Sequence, residues 1–359
     1  MRVHRSPSER ARETSDPATR PKAPSTEATA HLLDLQRHAG NAAVSAMIAR
    51  QRTAARERSL TLEDFQEAVR RFGVTRVRTG TVEDQAMLLN QGGDHLGDVL
   101  QNDIAEHHFP WVEWSPGGSS PTYASILAGF EDFERGLGGM PRVREIWFFE
   151  FGIEPVTVGG QLRVRRGEAA AEFGGERLFI YKAAEAQATQ KVIPVRRDRP
   201  GRRSGTDRPT RDVGMRRVVA HELGHGVQEL AYQRAREAAD SRPGLMDRYR
   251  AQVGWFRAGD RERLYDIGVP EVARALEAGE EPDAGFLITK DTWDSGRWRE
   301  QPISKYMVRE SFEDFGEAVM AYVHRPSALE ARSPRRFAFV RDLAEELFGS
   351  DAEEEPEER

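Results

Sequence analysis

Two histidines four residues apart, with a glutamate directly after the first, constrain this chain more than any other feature. They lie in the stretch VVAHELGHGVQEL, residues 218–230, as His221, Glu222 and His225. Side chains four residues apart on an α-helix project from the same side, so both imidazoles can reach one cation. Glu222 lies at the flank of that face, where it can act on a metal-bound water without binding the metal. The stretch predicts a helix that lines a metal site.

The rest of this helix supports the interpretation. Its apolar residues recur at core spacing on roughly the opposite side: Val219, Leu223, Val227 and Leu230. Gly224 and Gly226 each cost a helix interior about 1 kcal/mol relative to alanine, which predicts the close approach of another element or a ligand. The alternative is an ordinary helix with surface or core histidines. With only nine histidines in 359 residues, chance rarely produces this spacing.

The chain has no cysteine, so any metal must be held by His, Asp or Glu. A catalytic zinc keeps three protein ligands, and the third should come from a later element. The remaining histidines lie in the leader or lack a distinctive context, and we expect His324, at a helix end before a proline, to face solvent. They are His4, His31, His38, His95, His107, His108 and His324.

A better third ligand lies in ISKYMVRESFEDFGEAVMAYV, residues 303–323. Glu313 and Glu317 are four residues apart on one face of a predicted helix. The adjoining core stripe is predicted to hold Phe312, Phe315, Val319 and Tyr322. Such a carboxylate pair is usually a solvated face. The flanking aromatics favour partial burial here, and a buried carboxylate needs a cation or hydrogen-bond donors.

Together, HELGH and the pattern Y-x6-E-x3-E-A resemble the zinc-protease domain of the anthrax lethal factor type, a gluzincin within the zincins. The resemblance implies that His221, His225 and Glu313 bind Zn²⁺, and that Glu222 is the general base that activates the zinc-bound water. It also implies that Tyr306 donates a hydrogen bond to the oxyanion and that Glu317 supports the ligands from behind.

The resemblance covers residues 120–346, and outside the two helices it extends only to short motifs. The distance of 88 residues from His225 to Glu313 exceeds what it leads us to expect. The insertion, residues 232–303, could form a lid or a specificity wall. Glu317 stays open as the ligand in place of Glu313 if the second helix is rotated.

The N-terminus suggests how the protein reaches a target. Residues 1–58 predict a disordered leader, and LQRHAGNAAVSAMI within 31–52 predicts an amphipathic docking segment. That segment is similar to those of actinobacterial cargo proteins of extracellular contractile injection systems; a short hairpin without a special role is the alternative. No secretory signal or apolar run of ~20 residues is present, so we expect a cytoplasmic protein in the producer, exported as cargo of a particle.

The expected architecture is α+β: a zincin-like catalytic domain with a small mixed sheet, an active-site helix and C-terminal helices. The predicted strands are VREIWFFEFGI, QLRVRR, RLFIYKA and KVIPVR. The predicted regions are a helical or α+β segment at 60–120, the protease domain at 121–348 and an acidic disordered tail at 349–359.

These expectations define a zinc endopeptidase that acts on a protein or peptide substrate and is delivered as a toxin or effector, not a nucleic-acid-binding or membrane-spanning protein. Arginine-rich stretches reflect composition here and not a nucleic-acid signature. Two alternatives stay open. One is a non-catalytic assembly protein with a structural zinc, which would need neither Glu222 nor Tyr306; the other is a housekeeping peptidase, which would not need the leader.

Overall fold

The computed structural model describes most of the chain after residue 59. The described ranges are 60–91, 95–105, 123–167, 169–182, 211–238, 241–295 and 298–349. The predicted leader 1–58 with its docking segment 31–52, the strand KVIPVR and the acidic tail beyond Gly349 lie outside them. Within them the fold is mixed α+β with small sheets, as the sequence predicts.

Short capped helices open the described region. The Thr61 side chain accepts a hydrogen bond from the backbone N–H of Asp64, and the Asp64 carboxylate accepts one from the backbone N–H of Thr61, so a capping box starts the first helix. The 3-10 turn that follows this helix ends at Gly73, which has a positive φ of 84°. Thr81 and Asp84 repeat the capping box at the second helix. The elements are α1 (Leu62–Val69), a 3-10 turn (Arg70–Phe72), β1 (Arg76–Thr79), α2 (Val82–Asn90), α3 (Leu96–Ala105) and α4 (Tyr123–Leu137).

The main sheet has four strands in the order β1-β2-β6-β5. Strands β1, β2 and β6 are parallel, and β5 pairs antiparallel with β6 at the edge. Phe148 and Ile180 face the core beside Phe65 of α1, so α1 and β1 share a sheet and a core with the later strands. Those strands are β2 (Glu145–Phe149), β3 (Ile153–Val158), β4 (Gln161–Arg166), β5 (Ala171–Gly174) and β6 (Arg177–Tyr181), with β3 and β4 forming a separate hairpin.

Three helices pack against one another beside this sheet. They are α4, α5 (Arg211–Glu237) and α8 (Ser311–His324), and α5 contacts both others as well as β5. A Cβ on Gly224 would lie 3.1 Å from Cβ of Val319 on α8, and a Cβ on Gly226 would lie 2.9 Å from the Phe173 ring on β5. The predicted close approach at both glycines is confirmed. At both positions a methyl group would meet atoms of a neighbouring element, which would have to shift to accept a larger side chain.

The insertion between α5 and α8 forms helices and a small sheet in its described part. It contains α6 (Leu245–Val253), a three-stranded antiparallel sheet of β7 (Trp255–Ala258), β8 (Arg261–Tyr265) and β9 (Leu287–Ile288), and α7 (Pro270–Glu277). The short strands escaped detection because Arg257, Arg261 and Arg263 interrupt their apolar pattern. Two helices, α9 (Pro326–Arg332) and α10 (Pro334–Phe348), complete the fold. None of the helices in the described ranges is long and apolar enough to cross a bilayer.

Two predictions about α8 are wrong. Phe312 is 45% exposed and is not part of the core stripe, whereas Phe315 and Val319 are fully buried. His324 does not face solvent: its side chain is 13% exposed, its Nε2 lies 3.3 Å from the carbonyl oxygen of Arg216, and burial lowers its pKa to about 4. The adjoining helix α5 covers His324, a tertiary effect that a proline at a helix end does not reveal.

Candidate metal centre

Helix α5 carries the two histidines and Glu222 into a closed interior. His221, Glu222 and His225 are 7%, 8% and 6% exposed, and every side chain from Val219 to Gln228 is buried. The helix is therefore enclosed on all sides at this point, more fully than the one buried face that the sequence predicts. Two of its apolar residues, Leu223 and Val227, belong to the main core, so the orientation of the histidines is fixed by packing.

Helix α8 brings a carboxylate to the same point. Nε2 of His221 lies 3.2 Å from Nε2 of His225 and 3.1 Å from Oε2 of Glu313, and Nε2 of His225 lies 3.8 Å from that oxygen. The ligand atoms of these three residues all lie within 4.8 Å of one another. The structure thus joins the two histidines and Glu313 across the 88-residue separation, as a possible metal-binding triad.

The outer nitrogens of the two imidazoles contact oxygens. Nδ1 of His225 lies 3.2 Å from Oε1 of Gln228, and Nδ1 of His221 lies 3.2 Å from Oε1 of Glu317, the latter not aligned as a hydrogen bond. Oxygen acceptors at both Nδ1 atoms favour the tautomer with the proton there and leave each Nε2 with a lone pair. Glu317 therefore lies behind His221, and Glu313 lies on the side where the Nε2 atoms meet.

This arrangement fits a cation. With Nδ1 protonated, the two Nε2 lone pairs and a carboxylate oxygen of Glu313 face one another with no donor between them, and buried acceptors need a partner. Nitrogen and carboxylate ligands suit zinc, which takes three protein ligands in a catalytic site and keeps a position for water.

The pKa values of these groups follow from the same geometry. Burial alone would lower the pKa of His221, but the contacts with Glu313 and Glu317 outweigh it and raise the pKa well above the usual range. Burial would raise the pKa of Glu313, and the two histidines outweigh this effect and lower it below its usual range. His221 and Glu313 thus favour a shared proton between Nε2 and Oε2, the same point at which the two would bind a cation.

Glu222 differs from the other acids of the cluster. Within the described part of the chain its carboxylate has no hydrogen-bond or ion-pair partner, and burial raises its pKa, although His221 and His225 oppose the shift. A carboxylate that is buried, unpaired and easier to protonate than usual has the properties of a general base.

Tyr306 lies in a 3-10 turn (Tyr306–Val308) immediately before α8. Its hydroxyl donates to Oε1 of Glu313 at 3.3 Å, and its ring meets the His221 ring edge-on at 5.7 Å. Burial, followed by the charge of Glu313, raises its pKa, so the phenol keeps its proton and remains a donor. All six residues singled out from the sequence are thus on the two helices and the turn that meet here.

The sequence analysis missed three residues around the cluster. Phe312 stacks on the His225 ring at 4.1 Å, nearly parallel, and Arg309 donates to the hydroxyl of Tyr306. Glu172, on the edge strand β5, accepts a hydrogen bond from Tyr181, and burial together with nearby acids, Glu222 first among them, raises its pKa to about 7. Arg309 and Phe312 lie within the Y-x6-E pattern and could have been found there; β5 is too short to be detected.

Comparisons of the chain with protein-family models, with curated proteins and with solved structures found no match.

Proposed function

We propose that this chain is a zinc-dependent endopeptidase with a zincin-like catalytic domain of the anthrax lethal factor type. The observation that carries the proposal is the meeting of the His221 and His225 Nε2 atoms with Oε2 of Glu313, all within 4.8 Å of one another. Three nitrogen and oxygen ligands with an open position are typical of a catalytic zinc.

Two further residues favour catalysis over a structural role for the metal. A structural zinc is closed by four protein ligands and needs neither a free carboxylate nor a phenol beside it. Glu222 is buried, with no partner among the described residues, and Tyr306 directs its hydroxyl at a ligand oxygen. A buried carboxylate without a partner favours a reacting molecule at the site, and the Tyr306 hydroxyl, which bonds to Glu313 in its absence, can donate to that molecule.

The residues divide the work of peptide hydrolysis. A bound zinc would supply Lewis acidity, which polarises the substrate carbonyl and lowers the pKa of a water molecule towards neutral pH. Glu222 accepts the proton of the attacking water and returns it to the leaving amine. Tyr306 donates its proton in a hydrogen bond to the oxygen on which negative charge develops, instead of to Glu313. Glu317 and Gln228 hold the imidazoles in place.

The edge strand β5 is the proposed support for the substrate. In the described part of the sheet β5 pairs only with β6, so its outer edge carries free backbone donors and acceptors. It lies against α5, because Phe173 packs on Gly226 and the backbone N–H of Gly175 donates to Glu229 at 3.1 Å. An extended peptide that pairs with this edge would pass along the helix that carries the histidines.

Replacing Glu222 tests the proposal. Zinc content and peptide cleavage are measured for the wild type and Glu222→Ala, with Glu237→Ala at the exposed end of α5 as the matched control. We expect Glu222→Ala to keep zinc and to lose cleavage by about 10²-fold or more, the typical contribution of a general base. Cleavage sites profiled across a proteome, with Glu222→Ala as the background, then define the substrate. Equal activity in both variants, or a wild type without zinc, would refute the function.

We also propose that the protein is a toxin or effector exported as cargo of a contractile injection particle through residues 31–52. The support is the resemblance of that segment, which lies outside the described residues. Removing residues 1–58 should leave peptide cleavage unchanged and abolish loading into the particle. A truncated protein that still loads would contradict the proposal and leave the enzymatic one standing.

A further inference from the structure

Arg309 lies one turn after Tyr306 and folds back onto it. Its backbone N–H donates to the carbonyl oxygen of Tyr306 at 3.1 Å, which closes the 3-10 turn. In a 3-10 turn the side chains at i and i+3 eclipse each other. The guanidinium accordingly lies 5.5 Å from the centre of the Tyr306 ring, and Nη1 donates to the phenol oxygen at 3.1 Å.

We infer that Arg309 is a positioning residue for Tyr306, setting the direction in which the phenol donates its proton. The inference rests on the proposed function, because the direction matters only if Tyr306 serves an oxyanion.

The chemistry of the guanidinium fixes the direction of the phenol proton. Arginine has N–H donors and no acceptor, so the hydrogen bond from Nη1 must use a lone pair of the Tyr306 oxygen. The hydroxyl proton then cannot point towards Arg309 and must turn to the other side, where it meets Oε1 of Glu313 at 3.3 Å. With the oxygen held from outside, the phenol can redirect its O–H from Glu313 to a developing oxyanion by rotation about the C–O bond.

Charge acts in the same direction, because a hydrogen bond from a guanidinium to the phenol oxygen is charge-assisted. Arg309 is exposed, and the backbone bond already closes the turn, so the side chain is not needed to hold the local fold.

A double-mutant cycle tests the inference on the full-length, zinc-loaded protein. The variants are Arg309→Ala, Arg309→Lys, Tyr306→Phe and the double variant Arg309→Ala/Tyr306→Phe. Arg309→Ala should lower kcat about tenfold with little change in KM, the behaviour of an interaction made in the transition state. In the Tyr306→Phe background the same change should have no further effect, because residues that act as a unit are not additive.

A second readout does not depend on activity. In metal-free protein labelled with ¹³Cζ-tyrosine, the Tyr306 signal is the one that disappears in Tyr306→Phe. We expect Arg309→Ala to shift this signal strongly, and Arg309→Lys, which keeps a cation but not the planar fork, to restore it only in part.

The outcomes separate the two proposals. If the wild type cleaves peptide but the losses of the single variants add in the double variant, the role of Arg309 is overturned and the peptidase proposal stands. An unmoved Tyr306 signal in Arg309→Ala has the same consequence. A rise in KM in both backgrounds would instead show that Arg309 touches substrate, and would also overturn it. No cleavage by zinc-loaded wild type would remove the proposed function and the inference together.

Discussion

Two neighbouring acidic residues on α8 are both withdrawn from solvent, but their carboxylates have different partners. Asp314 is fully buried, and Arg336, also fully buried, holds it with Nε to Oδ1 at 2.9 Å and Nη2 to Oδ2 at 2.7 Å, while Trp255 donates to Oδ2 at 2.7 Å. Glu313, the residue before it, faces two imidazoles and the Tyr306 hydroxyl, with no arginine or lysine partner among the described residues. Among the described residues, an arginine pairs with one acid, and no arginine or lysine pairs with the other.

The insertion supports the turn of α8 on which both acids lie. Trp255 of β7 contacts Asp314, and Glu262 of β8 accepts the backbone N–H of Ser311 at 2.9 Å, at the first turn of α8. Arg250 of α6 contacts both Glu262 and Ser311. In its described part the insertion therefore holds the segment that carries Glu313; the expected lid or specificity wall remains a prediction.

Breaking the internally paired acid should have the largest effect. Arg336→Met keeps the length of the side chain but leaves Asp314 buried without its cation. Glu300, which is 2% exposed and lies 3.4 Å from Arg336, would lose the same cation. Breaking a buried pair from one side typically costs about 3–5 kcal/mol. We expect that loss in the free energy of unfolding, measured with urea. Arg335→Met, at the exposed neighbouring position, is the control, and equal losses in both variants would contradict the role of the buried pair.

Supplying the missing cation to Glu313 should have the next largest effect. At a zinc concentration of 100 times Kd, binding to the folded state alone adds about 2.7 kcal/mol to the free energy of unfolding. Glu313→Gln should lose this gain. Glu317→Gln should keep it at higher zinc, since residues behind the ligands change affinity by about 10- to 100-fold. The reverse order in a zinc-dependent thermal melt would make Glu317 the ligand.

The sequence predicted the residues of this cluster better than their surroundings. Helical spacing places His221 with His225 on one side of α5, because that signal depends on local geometry. Tyr306 and the choice of Glu313 over Glu317 come instead from the resemblance of the Y-x6-E pattern. The pairing of Asp314 with Arg336 could not be predicted. A fully buried arginine contradicts the usual preference of its residue type, and only the packing of α10 on α8 creates the environment that makes it stable.

The same limit explains the two errors on α8. Phe312 follows the apolar pattern but lies over the His225 ring at the N-terminal turn, where the core ends. His324 is polar and close to a proline, yet α5 covers it. Periodicity identifies a helix face, and it does not identify which elements lie against the ends of that face.

His324 shows a third response to burial, in which the charge is given up. Its pKa falls to about 4, burial being the first cause, although Asp132 lies 3.7 Å away. Because the folded-state pKa lies below the unfolded value of about 6.5, stability from the neutral form is present above pH 6.5 and is lost as the pH falls through 4. Over that pH range we expect the free energy of unfolding to fall by about 2 kcal/mol less in His324→Asn than in the wild type. The control is His95→Asn at an exposed site, and parallel urea-unfolding curves for wild type and His324→Asn at each pH would contradict the assignment.

The smallest effect concerns how finely packing controls the site at Glu313. A Cβ at position 316 of α8 would lie 2.8 Å from Cε1 and 3.0 Å from Nε2 of His221, so Gly316→Ala must displace the ring of this proposed ligand. A Cβ at Gly224, on the facing helix, would instead meet Cβ of Val319 at 3.1 Å and the backbone of Gly316 at 3.3 Å, which makes Gly224→Ala the matched control at the same helix contact. Alanine favours a helix by about 1 kcal/mol over glycine, so both variants gain the same local term and differ in the atoms that the methyl group meets.

Zinc affinity, measured by competition with a chelator, distinguishes the two glycine variants. We expect Gly316→Ala to weaken zinc binding about tenfold, or about 1.4 kcal/mol, while Gly224→Ala binds zinc as the wild type does. Equal zinc affinities in the two variants would contradict this prediction. They would mean that the His221 ring is not held against α8, and that zinc binding depends on the buried Glu313 and not on a fixed imidazole.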